Sequence, residues 1–270
     1  MPRLVTFVGV ITLCLVTGPS RVHAQTSSAA STARQTPGTI GFLTHYNFHL
    51  NAARMISSDD RFVWDTDFGG DMDVLDLQRV RGNVLVNFEG IFGEQIRAID
   101  PNQGNFTIDL SVWWRTRVLD AELGATFHHV SRHLIDRDKA LAIDWNMIGF
   151  QYTSPLQFRS WDVEIGFRVL KTVQRSFVDY TAEVGGSIHV RRVVHPRVSL
   201  FLEAELTFVA VDQSEHGRDH QLGGRFEIGA RFPGGDGAGE LFIARERRID
   251  AEPFDLVPTT FTMLGFRFLY

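Results

Sequence analysis

The chain of 270 residues has one cysteine, Cys14, only two lysines, Lys139 and Lys171, and no apolar run long enough to cross a bilayer as a helix. Cys14 falls inside an N-terminal apolar stretch, so beyond it there is no thiol. That excludes a disulfide framework and a cysteine-ligated metal site. The longest apolar run, Leu4 to Val16, is short of the ~20 residues that a membrane helix requires. Basic clusters are also lacking, and with a formal net charge of −5 nothing points to nucleic acid. What is present is 44% hydrophobic and 11% aromatic residues at a mean hydropathy of −0.06, which excludes a disordered chain. A soluble domain and a transmembrane β-barrel both fit these figures, because an apolar face alternating with a polar one averages to neutral hydropathy.

The two ends differ. Residues 1–24 have the parts of a cleaved secretory signal: Arg3, the apolar run, and Val22-His23-Ala24 before Gln25. Residues 25–39, rich in Ser, Thr and Ala, read as a flexible leader. The other end runs apolar to its last residue, through Phe261, Met263, Leu264, Phe266, Phe268 and Leu269 to Tyr270. A terminal aromatic preceded by alternating aromatics resembles the C-terminal strand that barrel assembly machinery recognises in outer-membrane proteins. The alternative is a buried last strand of a secreted sandwich.

Between the ends the dominant signal is alternation, and no segment holds a helical period. Phe106, Ile108, Leu110, Val112 and Trp114 share one face, with Thr107, Asp109, Ser111 and Arg115 on the other. Trp161, Val163, Ile165, Phe167 and Val169 oppose Asp162, Glu164 and Arg168; Val198, Leu200, Leu202, Ala204, Leu206 and Phe208 oppose Ser199, Glu203, Glu205 and Thr207. Leu222, Phe226, Ile228, Ala230 and Phe232 oppose Gln221, Arg225, Glu227 and Arg231. These runs last about ten residues, against five or six for an ordinary strand, and tilted membrane-spanning strands need that length.

Such runs number about twelve, at roughly 40–51, 61–68, 82–92, 104–118, 119–131, 140–152, 158–173, 177–192, 197–211, 220–232, 238–247 and 259–270. The first two are the weakest, 69–81 reads as a long turn or a kinked strand, and ten is the fallback count. The expected fold is an all-β, antiparallel transmembrane β-barrel over 40–270, closed so that every backbone group is satisfied in lipid. Odd-numbered connections are mostly long and even-numbered ones mostly short, as expected with a periplasmic N-terminus; 69–81 and the short link 174–176 break that rule. Lipid would meet an outward face that includes Trp64, Trp114, Trp145, Trp161 and Tyr180. The inward charges of both signs would either knit a narrow lumen shut or line a small aqueous one.

One segment could carry chemistry: Phe127-His128-His129-Val130-Ser131-Arg132-His133-Leu134-Ile135-Asp136. Parity from Ala121, Leu123, Ala125 and Phe127 places His129, Ser131 and His133 on the lipid-side face, at the outer rim. Residues i and i+2 on a strand lie about 6.5–7 Å apart, so their side chains can meet, and a histidine near a serine can make it a nucleophile once a third group orients the imidazole. The plain alternative is three polar residues at a strand border. A metal reading of His128, His129 and His133, with His216 and His220, is weaker, since His129 and His133 are ~13 Å apart along a strand. No metal or cofactor is expected. Gly234 to Gly239 reads as a turn, and Asp59, Asp60, Asp71, Asp73 and Asp76 lack the spacing of a calcium loop.

At this segment the chain resembles the lipid A 3-O-deacylases, outer-membrane barrels whose His-x-Ser pair faces lipid. The resemblance implies His129 as base and Ser131 as nucleophile. His129-x-Ser131-x-His133-Leu134-x-Asp136 is also similar to an H-x-S-S-H-L-G-D motif in a family of uncharacterised outer-membrane proteins, with Arg132 and Ile135 in place of its serine and glycine. The deacylase acid would fall near Ile143 and Asp144, with Asp144 expected to face the lumen; Asp136 and Asp138 are the other candidates. Two functions follow: an integral outer-membrane barrel without catalysis, serving as narrow pore, structural or binding element, or a lipid-facing serine esterase acting on lipid A or phospholipid through His129, Ser131 and Asp136. The partners implied are outer-membrane lipid and the barrel assembly machinery.

Overall fold

A computed structural model describes residues 40–116, 120–135 and 141–270. Twelve antiparallel strands pair in sequence order, and the last closes on the first. They are β1 (Gly41–Ile56), β2 (Trp64–Asp76), β3 (Val80–Gly93), β4 (Asp100–Arg115), β5 (Glu122–Leu134), β6 (Ile143–Phe158), β7 (Trp161–Ser176), β8 (Tyr180–His195), β9 (Val198–Val211), β10 (Gln221–Pro233), β11 (Ala238–Arg248) and β12 (Thr259–Leu269). Closure runs from His49 opposite Leu269 to Ile56 opposite Thr262, which joins the sheet into a barrel. No helix among the described residues is long and apolar enough to cross a membrane.

The segment 69–81 is strand for most of its length. β2 continues to Asp76 with a register shift between Asp73 and Leu75, then turns tightly where Gln78 takes a positive φ of 69° and donates its N–H to the Asp76 carboxylate at 2.8 Å. That aspartate supports the turn much as an Asx turn does. Short turns therefore cluster at this end, as at 159–160 and 196–197. Longer connections sit at the other, including 249–258 and 212–220, the latter with a one-turn helix at Gln213–His216. The asymmetry of outer-membrane barrels makes the long-loop end the outer one.

Through the middle of the wall the alternation sorts as expected. Phe106, Leu110, Val112, Trp114, Phe167, Leu206, Phe226 and Ile228 are exposed on the outside, while Asp109, Arg168, Glu227 and Arg231 are buried within. The lumen is filled by ion pairs. Arg248 meets Asp65 at 2.7 Å, Glu246 at 2.9 Å and Glu89 at 3.1 Å. Arg267 links Glu227 and Glu240, both at 2.8 Å, and Arg225 joins Glu227 at 2.7 Å. Toward the short-turn end Arg81 bridges Asp73 and Glu122, and Arg115 bridges Glu122 and Asp76. Gly124 leaves room for the inward Trp113, since a Cβ there would lie 2.8 Å from the indole Cε3. Each of these charges is held by an opposite one, the condition on which buried charges are tolerated.

Near the outer end the polarity inverts. Val130, Ile143, Trp145, Met147, Val178, Tyr180, Val209 and Ile249 form one apolar cluster inside the barrel, and Ala53, Met55, Phe62, Phe242, Phe261 and Met263 belong to a second. Two expectations are corrected here. Trp145 and Tyr180 do not face lipid: they are 5% and 2% exposed, point inward, and meet edge to face at 5.1 Å between ring centroids. Asp144, next to Trp145, consequently faces outward and not into the lumen. The cause is the parity of β6, where Ile148 and Phe150 are exposed to the outside and carry Asn146 and Asp144 to that side with them.

Candidate functional site

The outer ends of β5, β6 and β7 carry a polar cluster on the outer wall. In the outer half of β5 the buried residues are His128, Val130 and Arg132, and His129, Ser131 and His133 lie half-exposed on the opposite face. This is the parity read from Leu123 and Phe127. Register then sets their neighbours: His129 lies across from Asn146, and Ser131 across from Asp144. On the other flank Ser131 faces Phe106, whose ring packs edge-on against His133 at 5.7 Å.

A directed chain of hydrogen bonds organises the cluster. The carboxylate of Asp144 accepts from Gln174 Nε2 at 3.0 Å. Gln174 Oε1 accepts from Asn146 Nδ2. Since Asn146 donates with its nitrogen, its Oδ1 is left to face His129 Nδ1, at 2.7 Å. A carbonyl oxygen can only accept, so the neutral imidazole is fixed with its proton on Nδ1 and a lone pair on Nε2. That is the tautomer a general base needs, and a His–Asn pair is a known variant of the orienting contact. Ser131 Oγ hydrogen-bonds His133 Nε2 at 2.8 Å. The serine thus stands between two histidines, in contact with His133, while His129 is the one oriented by an amide.

Of the residues expected from sequence, His129, Ser131 and His133 come together on one face. Asp136 and Asp138 lie outside the described residues. His128, the third histidine of the segment, points the other way and bonds Asp109 inside the barrel at 2.5 Å. His216 bonds the Phe177 carbonyl at 2.9 Å and His220 accepts from the Val211 N–H at 3.3 Å. No metal-competent group of His, Cys, Asp and Glu occurs among the described residues. Asn146 and Gln174 were missed. The available signal was Asp144-x-Asn146, a polar pair on the parity of Ile148 and Phe150. Gln174 had none, because a register shift at Asn146 and Met147 sets the β6–β7 pairing there.

A cavity of about 30 Å³ lies between Arg132, Trp145, Tyr180, Arg248 and their neighbours, room for about one water. The outer mouth is held by the 249–258 connection, whose Asp250 takes hydrogen bonds from Tyr180 and from Arg218, at 2.5 Å each, while Arg132 donates to the Asp250 carbonyl at 2.6 Å.

No protein-family model matches this chain, and no curated protein matches it. Solved structures do. An outer membrane channel from Pseudomonas putida F1 superposes with a TM-score of 0.55 at 14% identity, covering 83% of this chain and 93% of that one. Outer membrane phospholipase A from Escherichia coli gives 0.53 at 9% identity, covering 82% and 91%. The outer membrane phospholipase of Salmonella typhi, a dimer with bound calcium, gives 0.52 at 10%, covering 87% and 93%. At these identities the likeness is one of fold. The chain is an integral barrel of the outer-membrane type.

Proposed function

We propose that this barrel is a lipid-facing serine acyl-ester hydrolase of the outer membrane, acting on an ester bond of lipid A or phospholipid. The observation that carries the reading is His129, held by Asn146 in the base-competent tautomer, two residues from Ser131 on the outer wall. A third group orienting a histidine beside a serine is the arrangement of an activated nucleophile.

In the proposed reaction Ser131 turns its Oγ from His133 to His129, a step between staggered rotamers. Catalytic contacts often tighten only when substrate is bound. Oγ attacks the acyl carbonyl carbon as His129 Nε2 takes the hydroxyl proton. The ester C–O bond breaks and the departing alkoxide takes that proton back, leaving the acyl group on Ser131. Water then attacks the acyl carbon, giving a proton to His129; the Oγ–acyl bond breaks, the fatty acid leaves and Ser131 is reprotonated. In the proposed site Asn146 takes the orienting role first expected of Asp136, and Asp144 is linked to it through Gln174. The proposal includes a cleaved signal at 1–24 and insertion by the barrel assembly machinery through β12.

The test is mass spectrometry of envelope lipids from cells expressing wild type, Ser131→Ala, His129→Ala or His133→Ala. Wild type should remove an acyl chain, Ser131→Ala should not, and His129→Ala should lose about 10²–10⁴-fold in rate, with His133→Ala losing less than tenfold. The reverse order for the histidines would make His133 the base. Identical lipids from wild type and Ser131→Ala would end the enzyme reading and leave a non-catalytic barrel.

A further inference from the structure

Two arginines on the wall opposite the serine differ from the ion-paired arginines of the lumen. Arg245 and Arg247, two apart on β11, carry outward-facing side chains just above the exposed Leu241 and Ile243 of the same strand. Among the described residues neither has a carboxylate partner: Arg245 donates to Thr262 Oγ1 at 2.5 Å, and Arg247 to the Leu222 carbonyl at 3.3 Å. A guanidinium has five N–H donors, so each keeps donors beyond that one bond for a ligand. Register sets Thr262 beside Arg245 and Thr260 beside Arg247, and Thr260 is exposed. Across β12, Arg54 of β1 faces outward over the Trp64 ring at 5.5 Å and pairs with Glu94 at 3.3 Å.

We infer that Arg245 and Arg247, with the hydroxyls of Thr260 and Thr262, form a binding site for the phosphate of an outer-leaflet lipid headgroup. Position, geometry and surroundings support this. The pair lies on the long-loop side of Leu241 and Ile243 on the same strand. Residues i and i+2 on one strand face are about 6.5–7 Å apart, within reach of two guanidiniums closing on one phosphate, and planar forks match phosphate oxygens bidentately. Ile243, Leu264 and Phe266 below them are exposed and give the acyl chains an apolar wall. A soluble anion would gain nothing from that wall, so the ligand is a lipid. The site lies six strands from β5 in the closed order and does not depend on the proposed hydrolase.

The test is native mass spectrometry of the full barrel in detergent, offered phosphatidic acid and diacylglycerol with identical chains. Wild type should retain phosphatidic acid in preference, and Arg245→Gln/Arg247→Gln should lose that preference about 10- to 30-fold, in line with the contribution of two basic residues at an anionic surface. Heat-modifiable migration confirms that the variant has folded; if the double variant does not fold, the two single variants replace it, each losing about threefold or more. Equal retention by variant and wild type overturns the site. Displacement of the lipid by millimolar inorganic phosphate overturns it too, in favour of a soluble-anion site.

Discussion

Arg248→Ala tests whether the lumen is a packed, dehydrated network. Arg248 is 4% exposed and contacts Asp65, Glu246 and Glu89 at 2.7, 2.9 and 3.1 Å, of which Asp65 and Glu246 are fully buried. Removing one partner of a buried ion pair costs about 3–5 kcal/mol, chiefly because the other charge stays behind uncompensated. Asp65 is stranded outright, while Glu246 keeps Arg225 at 3.4 Å and Glu89 keeps a hydrogen bond from Asn105, so the middle of that range applies. With a urea slope of about 3 kcal/mol per molar, the unfolding midpoint in lipid vesicles should fall by about 1–2 M, read by tryptophan fluorescence. The sign of a second substitution sharpens the test. Asp65 has Arg248 as its cation, so Asp65→Asn should destabilise wild type yet restore about 1–2 kcal/mol in the Arg248→Ala background, where it removes a stranded charge. A loss below about 1 kcal/mol with no change of sign would mean that water already solvates these carboxylates, and the account of a filled lumen would fail.

The same packing predicts a silent planar bilayer for wild type, and steady open-channel currents would contradict it. Arg218 pairs with Asp179 and Asp250 at the outer mouth, at 2.5 Å each; Arg218→Ala should make the 249–258 connection sensitive to added protease in intact vesicles, and unchanged resistance would show that this clasp does not hold the loop. Brominated lipids should quench Trp114 and Trp161 but not Trp113 or Trp145, compared in single-tryptophan variants, because the first two are exposed outside and the others are 9% and 5% exposed within. In the outer loop, the Asp59 carboxyl is held below its ordinary value by the hydrogen bond from Arg61. Its folded pKa is depressed, so the stabilisation is present above pH ~4 and fades as pH falls through the folded value. The pair is about one-third exposed, which limits the effect to a few tenths of a kcal/mol; a larger acid-side loss abolished by Asp59→Asn would refute that discount.

The twelve strands and the facing of their middle portions were legible because lipid imposes one rule along the whole wall: apolar outside, polar inside, period two. Misreadings came where that rule stops. At the outer end of β6, Ile143, Trp145 and Met147 turn inward to pack the mouth, and the polar Asp144 and Asn146 are left outside. Assigning charge to the lumen and aromatics to lipid inverts Trp145 and Asp144 on β6 and Tyr180 on β8. Parity counted upward from Ile148 and Phe150 gives the right answer without that assumption. The same inversion explains why chemistry would gather there. Below the rim the outer face must be apolar, while above it apolar groups already close the barrel and the outer face is free to hold His129, Ser131 and Asn146 on one side and Arg245 and Arg247 on the other. His129 and Ser131 were legible because both sit on one strand at a spacing of two. Asn146 and Gln174 were not, because their position depends on the register of β5 with β6 and on the irregular pairing of β6 with β7, which no local pattern encodes.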